Sequence, residues 1–495
     1  MNNYTKIINQ MKEKIVTFSK NLSIDLSKPN RKFVLNLIYG LICSSSSYLS
    51  EIARSLKENI TLKKTIERLS NNLTNFDKEK RDYVWNNYVD KIKDKIDDNT
   101  VFCFDPGDLG KKNSKKLENL DLIKDGSTGE YINGYKMIEV AALTRREKLP
   151  IPVYSSLYST KDEDFISEND ECLTALKYIR NKFGNMGIYA LDRGFDDEKY
   201  FKYFSNNDLS FVIRMTVKRN ITVCKSGKTR NIKKVAISKK CKTQYSYKDK
   251  NGITRTAYAG YMKVKIPNIE DKEFYLVVIK SSEFPNSPMM LLTNLKPEND
   301  EFTKIVNKVY IARWKIEEYF KFKKQQFKFE KLLVRTLNSI RTLNMFLSIV
   351  IGFIAIFSDN QKYAQYIIVF EAAKSLRTND KIVLVYYAVE RGLNKIFNND
   401  KNGIKKLYSS ETIKTESEQC ILPEFSNFNC FINWCHKKWG NFLIWKNFKK
   451  NIAKVLFLCY SIEVGRIITR CSAVGSARGL GPWGRRFDPC HLDHI

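Results

Sequence analysis

The sequence predicts an α/β protein, with a mixed central sheet flanked by helices, a β-rich insertion, and helical regions at both ends. Two short apolar runs, Val101–Phe104 and Ile188–Leu191, each end at an Asp, which is typical of buried strands that deliver a carboxylate to the edge of a sheet. Apolar residues recur at helical spacing in residues 1–97, and residues 341–470, where aromatic and basic residues interleave, are also expected to be helical. Between residues 217 and 300, Lys and Thr alternate with apolar residues, which indicates strands.

The chain is strongly basic for its size. Its 495 residues include 85 Lys and Arg against 54 Asp and Glu, a formal net charge of +31. Such an excess is self-repulsive unless a polyanion is near, so we expect nucleic acid as the partner. A general bias of the source proteome toward Lys is the alternative. The hydrophobic content of 43% favours a folded chain over a disordered one.

Neither a signal peptide nor a membrane span is expected. The N-terminus alternates in charge, and the most apolar run, Leu343–Phe357, is short for a span and suits a buried helix. The 11 cysteines form no C-x-x-C pair. Cys430, Cys435 and His436 come nearest to a zinc pattern but lack a second pair of ligands. We therefore expect free thiols in a reducing cytoplasm.

The region of residues 1–97 contains two short helical patterns separated by a polar turn. These patterns, Ser50–Leu56 and Leu62–Leu69, fit a helix-turn-helix that binds DNA. Its exposed side would carry the cations Arg54, Lys57, Lys63, Lys64 and Arg68. A helical bundle with basic solvated faces explains the same pattern equally well.

Residues 98–216 contain two acidic clusters, each of which directly follows a predicted strand. The first strand is expected to end on the turn Asp105-Pro-Gly-Asp108, where Asp105 is the first candidate carboxylate and Asp108 its nearest competitor. The second is followed by Asp192-Arg-Gly-Phe, with Asp196 or Asp197 able to cap the next helix. Taken singly, each cluster is also explained as an ordinary turn or helix cap.

Residues 301–340 contain a third charged constellation. The stretch Tyr310–Lys324 has no Gly or Pro and predicts one continuous helix. On it, a stripe about 60° wide is shared by Tyr310, Arg313, Glu317 and Lys324. A carboxylate between two cations indicates a metal or acid site beside an anion-binding surface. An ordinary charged amphipathic helix is the alternative for this stretch alone.

The three motifs together resemble those of DDE transposases of bacterial insertion sequences, in particular the insertion sequence four family. The spacing Y-x2-R-x3-E-x6-K is similar to the signature of that family. D-P-G-D-L-G-K is similar to its first acidic motif and D-R-G-F to its second. The resemblance implies an RNase H-like core in residues 98–216 and 301–340, interrupted by the insertion, which in relatives helps to hold the DNA end.

The resemblance also assigns roles to residues. Asp105, Asp192 and Glu317 would be the catalytic residues and the ligands of Mg²⁺ or Mn²⁺, ions that prefer hard oxygen donors. The expected DNA contacts are Tyr310, Arg313, Lys324, Lys111 and Arg193. The protein would cut double-stranded DNA at terminal inverted repeats and join the 3′-ends to target DNA, as a homodimer at the bacterial nucleoid. A metal-dependent endonuclease without strand transfer and an inactive DNA-binding derivative are the alternatives.

The last 25 residues, 471–495, differ in composition from the rest of the chain, being rich in Gly and free of Lys. Arg486-Phe-Asp-Pro back-translates to AGG-TTC-GAT-CCN, which is similar to the T-arm of a transfer-RNA gene. We interpret this tail as the reading frame continuing out of the element into a flanking tRNA gene.

Overall fold

The computed structural model describes residues 3–126, 128–144, 150–248, 253–282, 287–299, 301–359, 385–398, 400 and 402–404. Most of the predicted C-terminal helical region lies outside these residues, as do the pattern Cys430–His436 and the tail 471–495. From that region, only the start and one later helix, α12 (Val385–Asn398), are described beyond short pieces near residue 400.

The N-terminal residues form helices as far as residue 92. They are α1 (Asn3–Leu22), α2 (Lys28–Ser44), α3 (Leu49–Leu56), α4 (Leu62–Asn75) and α5 (Lys78–Ile92). Side-chain caps fix two of the starts, because Thr61 accepts a hydrogen bond from the backbone of Lys64 and Asp77 accepts one from Lys80. Helices α2, α4 and α5 pack on a long apolar helix, α11 (Leu337–Asp359), so the N-terminal region shares one hydrophobic core with the rest.

Helices α3 and α4 occupy the positions of the predicted helix-turn-helix, but only some of its five cations are exposed to solvent. Arg54, Lys63 and Lys64 are exposed. Lys57 instead donates to the carbonyl of Asp400, and Arg68 forms an ion pair with Glu58. The last two cations therefore stabilise the protein and are not presented to a DNA backbone.

Within the described residues, twelve strands form one mixed sheet, which confirms the predicted α/β class with a large sheet and flanking helices. The strands are β1 (Val101–Gly110), β2 (Asp121–Lys124), β3 (Tyr131–Leu143), β4 (Ile151–Tyr158), β5 (Ile188–Leu191), β6 (Ser210–Arg214), β7 (Asn220–Val223), β8 (Lys228–Asn231), β9 (Thr243–Lys248), β10 (Thr254–Ile266), β11 (Ile269–Ser281) and β12 (Met289–Thr293). Their order is β2-β3-β1-β5-β6-β12-β11-β10-β7-β8, with β4 beside β3 and β9 beside β10. β1, β5 and β6 are parallel, whereas β3 is antiparallel to β1 and β4 to β3.

Strand β1 does not end at Asp105 as predicted. It pairs with β3 from Val101 to Gly110, so the Asp-Pro-Gly-Asp segment is extended strand and not a turn. On its other side, β1 pairs with β5 only as far as Cys103. Pro106 lies beyond that point, where a residue without a backbone N–H is tolerated because one neighbour is missing.

Residues 217–300 are rich in strands, and they extend the central sheet instead of forming a separate one. The described residues of this region form strands β7 to β12 and the helix α8 (Ile232–Ser238). β12 pairs with β6 of the core, with Leu291 opposite Arg214 and Thr293 opposite Val212. Backbone hydrogen bonding is therefore continuous from β1 into the insertion.

Four helices cover the sheet near the acidic clusters: α6 (Glu168–Phe183), α7 (Glu198–Asn206), α9 (Phe302–Ala312) and α10 (Lys315–Lys321). α6 begins at Ser167, whose side chain accepts from the backbone of Asp170, and it ends at Gly184 with a φ of 65°. Asp197 caps α7 by accepting from the backbone of Lys199, as one of the two predicted alternatives requires. Asp196 instead accepts hydrogen bonds from Thr216.

Helix α11 is longer than the apolar run Leu343–Phe357 suggests. Among the described residues, Leu337–Phe357 is the one single helix long and apolar enough to cross a membrane, and the bent pair α2 and α3 passes the same test jointly. However, 89% of the apolar window of α11 is buried inside the protein. Its Gly352 lets the helix approach α5 closely, since a Cβ there would lie 1.9 Å from the hydroxyl of Tyr88. Core packing therefore accounts for the apolar sequence.

Candidate active site

Asp105 and Asp192 converge because their strands run side by side in the same direction. Parallel β1 and β5 pair from Val101 opposite Ile188 to Cys103 opposite Ala190. Asp105 lies two positions after Cys103, and Asp192 lies two positions after Ala190. Their side chains therefore project from the same face of the sheet and at the same level along the strands. The thiol of Cys103, on that face, contacts the carbonyl of Ala312 at 3.4 Å, which places α9 over it.

The backbone after β5 fixes the side chain of Asp192. One of its carboxylate oxygens, Oδ1, accepts a hydrogen bond of 2.9 Å from the backbone N–H of Gly194. The next three residues, Arg193–Phe195, form a single 3₁₀ turn that begins from this cap. The small residue at position 194 matters, because a Cβ there would lie 3.1 Å from the same oxygen.

Glu317 does not lie on the single helix predicted for Tyr310–Lys324. α9 ends at Ala312, α10 begins at Lys315, and a π-helix follows at Phe322–Gln326. The join is a tight turn, in which the N–H of Glu317 donates to the carbonyl of Trp314, three residues earlier. No Gly or Pro marks this break, so the local sequence gives no signal for it.

Arg313 lies at the join and links two of the three candidate carboxylates. Its Nη1 is 3.1 Å from Oδ1 of Asp105, and its Nη2 is 3.7 Å from Oε1 of Glu317. The guanidinium also lies over the ring of Tyr310, 5.9 Å from the ring centre. Only 9% of the Arg313 side chain is exposed, so this is a largely desolvated ionic centre.

The pKa shifts indicate that the three carboxylates lie close enough to repel one another. Burial raises the pKa of Asp105 to about 7, Arg313 opposes this, and the charges of Asp192 and Glu317 add to it. Burial also raises the pKa of Glu317. Arg313 again opposes this, and the charges of Glu318 and, to a smaller extent, Asp192 add to it. A further cation would relieve this repulsion.

By chemistry, the three carboxylates fit a hard divalent cation. They offer oxygen ligands of the kind that Mg²⁺ and Mn²⁺ prefer, and they repel each other in the absence of a cation. In the conformation that the structure shows, the described residues include no group of three His, Cys, Asp or Glu side chains close enough to hold a metal. Arg313 occupies the space between Asp105 and Glu317, and it already supplies positive charge there.

Three of the five predicted DNA contacts are buried and have other roles. Arg313 is one of them, because its guanidinium is paired with Asp105 and Glu317. Tyr310 is 2% exposed and packs beneath the guanidinium of Arg313. Lys111 is 5% exposed, and its Nζ donates to the carbonyls of Glu330 at 2.7 Å and Leu332 at 3.3 Å. None of these three side chains is presented to a phosphate, and in this structure all three stabilise the site through contacts within the protein.

The other two predicted contacts lie at the rim of the site. Lys324 is half-buried, with its Nζ 3.4 Å from Asp108 and 3.5 Å from Glu330. Arg193 directly follows Asp192 and is also half-buried. Asp108 is therefore the ion-pair partner of Lys324, and it forms no part of the ionic centre around Arg313.

Sequence reasoning missed a buried polar cluster next to these residues. Lys323 and Glu139 form an ion pair of 2.6 Å, and neither side chain has any exposed surface. Tyr319 donates a hydrogen bond of 2.8 Å to the same carboxylate. A signal was available, since Glu139 is the one charged residue within the otherwise apolar stretch Met137–Leu143.

The raised pKa of Asp105 predicts how stability depends on pH in the absence of metal. The native protein holds the Asp105 proton more tightly than the unfolded chain, whose carboxyl has a pKa near 3.8. The free energy of unfolding should therefore fall as pH rises from about 4 to about 7. We expect Asp105→Asn to be more stable than wild type by roughly 2 kcal/mol at pH 8, and by much less at pH 5.

Urea denaturation in EDTA at the two pH values measures this difference. The exposed Asp164, changed to Asn, is the control for removing one acidic charge. A stability difference that is the same at both pH values would contradict the assignment of the raised pKa to Asp105.

The chain has similarity to known proteins at the level of a domain family. Residues 123–353 match the family model of the transposase DDE domain. This match contains Asp192, Glu317 and the residues around them, and it begins after Asp105. It confirms the expected relation to DDE transposases in that part of the chain, whereas the assignment to the insertion sequence four family stays a prediction.

Similarity to solved structures is distant. A piggyBac transposase in a synaptic complex with hairpin DNA has 11% sequence identity, with 82% of this chain and 80% of that chain covered. The TM-score is 0.38, which is too low to carry an argument about this chain. Among curated proteins, none matches the sequence significantly.

Proposed function

We propose, from the transposase DDE domain that residues 123–353 match, that this protein cuts DNA at the ends of an insertion sequence. In this proposal it joins the freed 3′-ends to target DNA, and Asp105, Asp192 and Glu317 are the catalytic residues. The core strands have the order β4-β3-β1-β5-β6, with β5 and β6 parallel to β1, and we interpret this arrangement as RNase H-like.

The observation that carries the proposal is the convergence of acidic residues from three distant segments. Arg313 contacts Asp105 and Glu317 directly, and the charge of Asp192 affects the pKa of both. Buried like charges destabilise a fold unless they serve a purpose, because each desolvated carboxylate needs a compensating cation. Such clusters are therefore expected at functional sites.

The chemistry assigned to the site is phosphodiester cleavage. Mg²⁺ or Mn²⁺, when held by Asp105, Asp192 and Glu317, would activate the attacking oxygen and stabilise the leaving one. The backbone of Gly194 orients Asp192, and Tyr310 and Asp105 orient Arg313. Lys324 at the rim is placed to bind a phosphate next to the scissile bond if it exchanges Asp108 for the DNA.

The charge distribution supports DNA as the partner. Residues 209–248 contain no Asp or Glu, although the chain as a whole has 54. The exposed cations of this stretch, which we call the basic patch, are Lys218, Lys225, Lys228, Arg230, Lys233, Lys234, Lys240 and Lys242. A surface with one sign of charge attracts the phosphate backbone without reading its sequence.

We predict that neutralising the basic patch weakens DNA binding. The double variant Lys228→Gln/Arg230→Gln should bind duplex DNA several-fold more weakly, and the slope of log affinity against log salt should be smaller by about 2. Gel shifts at several salt concentrations measure both quantities. Lys91→Gln/Lys93→Gln removes the same charge from the exposed end of α5 and is the matched control. Equal salt slopes in the two double variants would contradict a DNA-facing patch.

The function itself is tested with the DNA that surrounds the gene. Purified protein is incubated with Mg²⁺ or Mn²⁺, a plasmid carrying the gene with its flanks, and a target plasmid. Joined products support a transposase, cleavage without joining supports an endonuclease, and a gel shift alone supports an inactive DNA-binding derivative. A homodimer bridging two ends is part of the proposal, and it predicts that cleavage of a plasmid with both ends exceeds that of a plasmid with one.

A further inference from the structure

A buried polar network lies beside the candidate active site. The ammonium of Lys323 donates to Oε1 of Glu139 at 2.6 Å and to the hydroxyl of Ser348 at 2.8 Å. Tyr319 donates to Oε2 of Glu139 at 2.8 Å, and Ser155 donates to Oε1 at 2.9 Å. Both charged side chains are fully buried. The network thus joins β3, β4, α10, the π-helix and α11 at one point.

The position of Glu139 connects this network to the proposed catalytic residues. Glu139 is the partner of Asp105 in the antiparallel pairing of β3 with β1. Directly opposite residues of such a pair project on the same face of the sheet. Tyr319 follows Glu317 by two positions, so the hydrogen bond from Tyr319 to Glu139 attaches the Glu317 segment to the sheet beside Asp105.

The backbone around Lys323 has an uncommon conformation. The helix widens into a π-helix over Phe322–Gln326, a form that is rare and is found mostly at functional sites. Within it, Lys323 is fully buried, whereas its neighbour Lys324 reaches Asp108 at the rim. A wide turn of this kind needs tertiary contacts to hold it, and the ion pair of Lys323 with Glu139 supplies one.

Stability alone does not explain a buried ion pair at this place. Desolvating an ammonium and a carboxylate costs about as much as their attraction returns, and apolar side chains of similar volume are often as stable. An ion pair differs from an apolar contact in that it forms in one register only. That property is useful where a neighbouring segment must be held in a defined orientation.

We propose that the buried pair Lys323–Glu139 fixes the register of residues 315–326 against β3 and thereby positions Glu317 and Lys324 for DNA cleavage. The two residues of the pair are positioning residues, since neither reaches the reacting atoms. The part of this inference that concerns cleavage rests on the proposed function of Glu317, whereas the part that concerns register does not.

The test removes both charges at once, in the double variant Glu139→Gln/Lys323→Met. We expect its melting temperature to stay within about 5 °C of wild type and its DNA affinity to be unchanged. The rate constant of cleavage at saturating DNA should fall about 30-fold. Amide hydrogen exchange should become faster in residues 315–326 and remain unchanged elsewhere, a local change that loss of stability alone would not produce.

A second buried ion pair provides the matched control. Lys12 and Asp400 join α1 to the segment at residue 400, with side chains that are 4% and 7% exposed. Lys12→Met/Asp400→Asn removes the same two charges and should leave the cleavage rate and the exchange of residues 315–326 unchanged. Tyr319→Phe is the milder variant at the network, for which we expect cleavage about threefold slower and faster exchange in the same segment.

The outcomes separate this inference from the proposed function. If the wild-type protein cleaves DNA, a network variant with wild-type cleavage and wild-type exchange overturns the inference. If the wild-type protein cleaves no DNA, the proposed function fails, and hydrogen exchange alone tests whether the ion pair fixes the register. Faster exchange confined to residues 315–326 in the double variant supports that role. Unchanged exchange overturns it. Should the double variant not fold, Tyr319→Phe is judged by the same two criteria.

Discussion

Asp192→Asn is expected to lower the rate constant of DNA cleavage by about 10³-fold or more, because in the proposed mechanism it removes one negative ligand of the catalytic cation. The effect should be confined to catalysis. The amide oxygen of Asn can still accept the hydrogen bond from Gly194, which fixes the turn after β5 in this structure. Duplex DNA binding and melting temperature should therefore match those of wild type.

Cleavage of the flanking-DNA plasmid under single-turnover conditions measures this loss, and a gel shift measures binding. Asp105→Asn and Glu317→Gln should lose cleavage to a similar extent and keep DNA binding, since each also keeps the shape of its side chain, whereas Asp105→Asn is in addition expected to be more stable than wild type at pH 8. Asp164→Asn, at an exposed position, is the control for a change of one charge. A cleavage rate within about tenfold of wild type in any of the three would remove that residue from the site.

Arg313→Met should destabilise the metal-free protein by about 3 kcal/mol at pH 8, the second large effect that we expect. The guanidinium is the cation that contacts Asp105 and Glu317 in this structure, at 3.1 and 3.7 Å. Removing one partner of a desolvated ionic cluster leaves the other charges without compensation. Because the guanidinium lowers the pKa of both carboxyls, those pKa values should rise in the variant, and the loss of stability should shrink toward pH 5.

Divalent ions should reverse part of this loss. If Asp105 and Glu317 are ligands, millimolar Mn²⁺ or Mg²⁺ replaces the missing positive charge and raises the melting temperature of Arg313→Met more than that of wild type. Thermal denaturation in EDTA and in Mn²⁺ measures both effects. Arg335→Met removes an exposed guanidinium and serves as the control. Equal melting temperatures of Arg313→Met and wild type in EDTA would show that Arg313 does not compensate the buried acids.

The acidic positions could be located from sequence because strand patterns are local. Val101–Phe104 and Ile188–Leu191 are short apolar runs, each followed by an Asp, and the structure makes both of them strands. Parallel pairing then brings Asp105 and Asp192 to the same height without further information. The helix Glu168–Phe183 is equally local in origin, because its cap, Ser167, and its closing Gly184 are encoded in adjacent residues.

The conformation around Glu317 could not be predicted in the same way, because distant residues determine it. The break between α9 and α10 lies where Arg313 turns toward Asp105, and the π-helix lies where Lys323 turns toward Glu139. Both partners belong to strands that are far away in sequence. The burial of Tyr310 and Lys111 could not be predicted either. The residues that cover a polar side chain come from distant segments, and the neighbouring sequence does not indicate them.

The continuous backbone pairing from β1 through β6 and β12 to β8 has a mechanical consequence. Continuous pairing resists hinge motion within the sheet, so we expect the distance between the basic patch and the candidate carboxylates to vary little. Seven strand-to-strand steps lie between β1 and β8, on the order of 30 Å along the sheet and about one turn of duplex DNA. If the protein cuts DNA as proposed, this distance would place the scissile phosphate about one helical turn from the duplex bound at the basic patch.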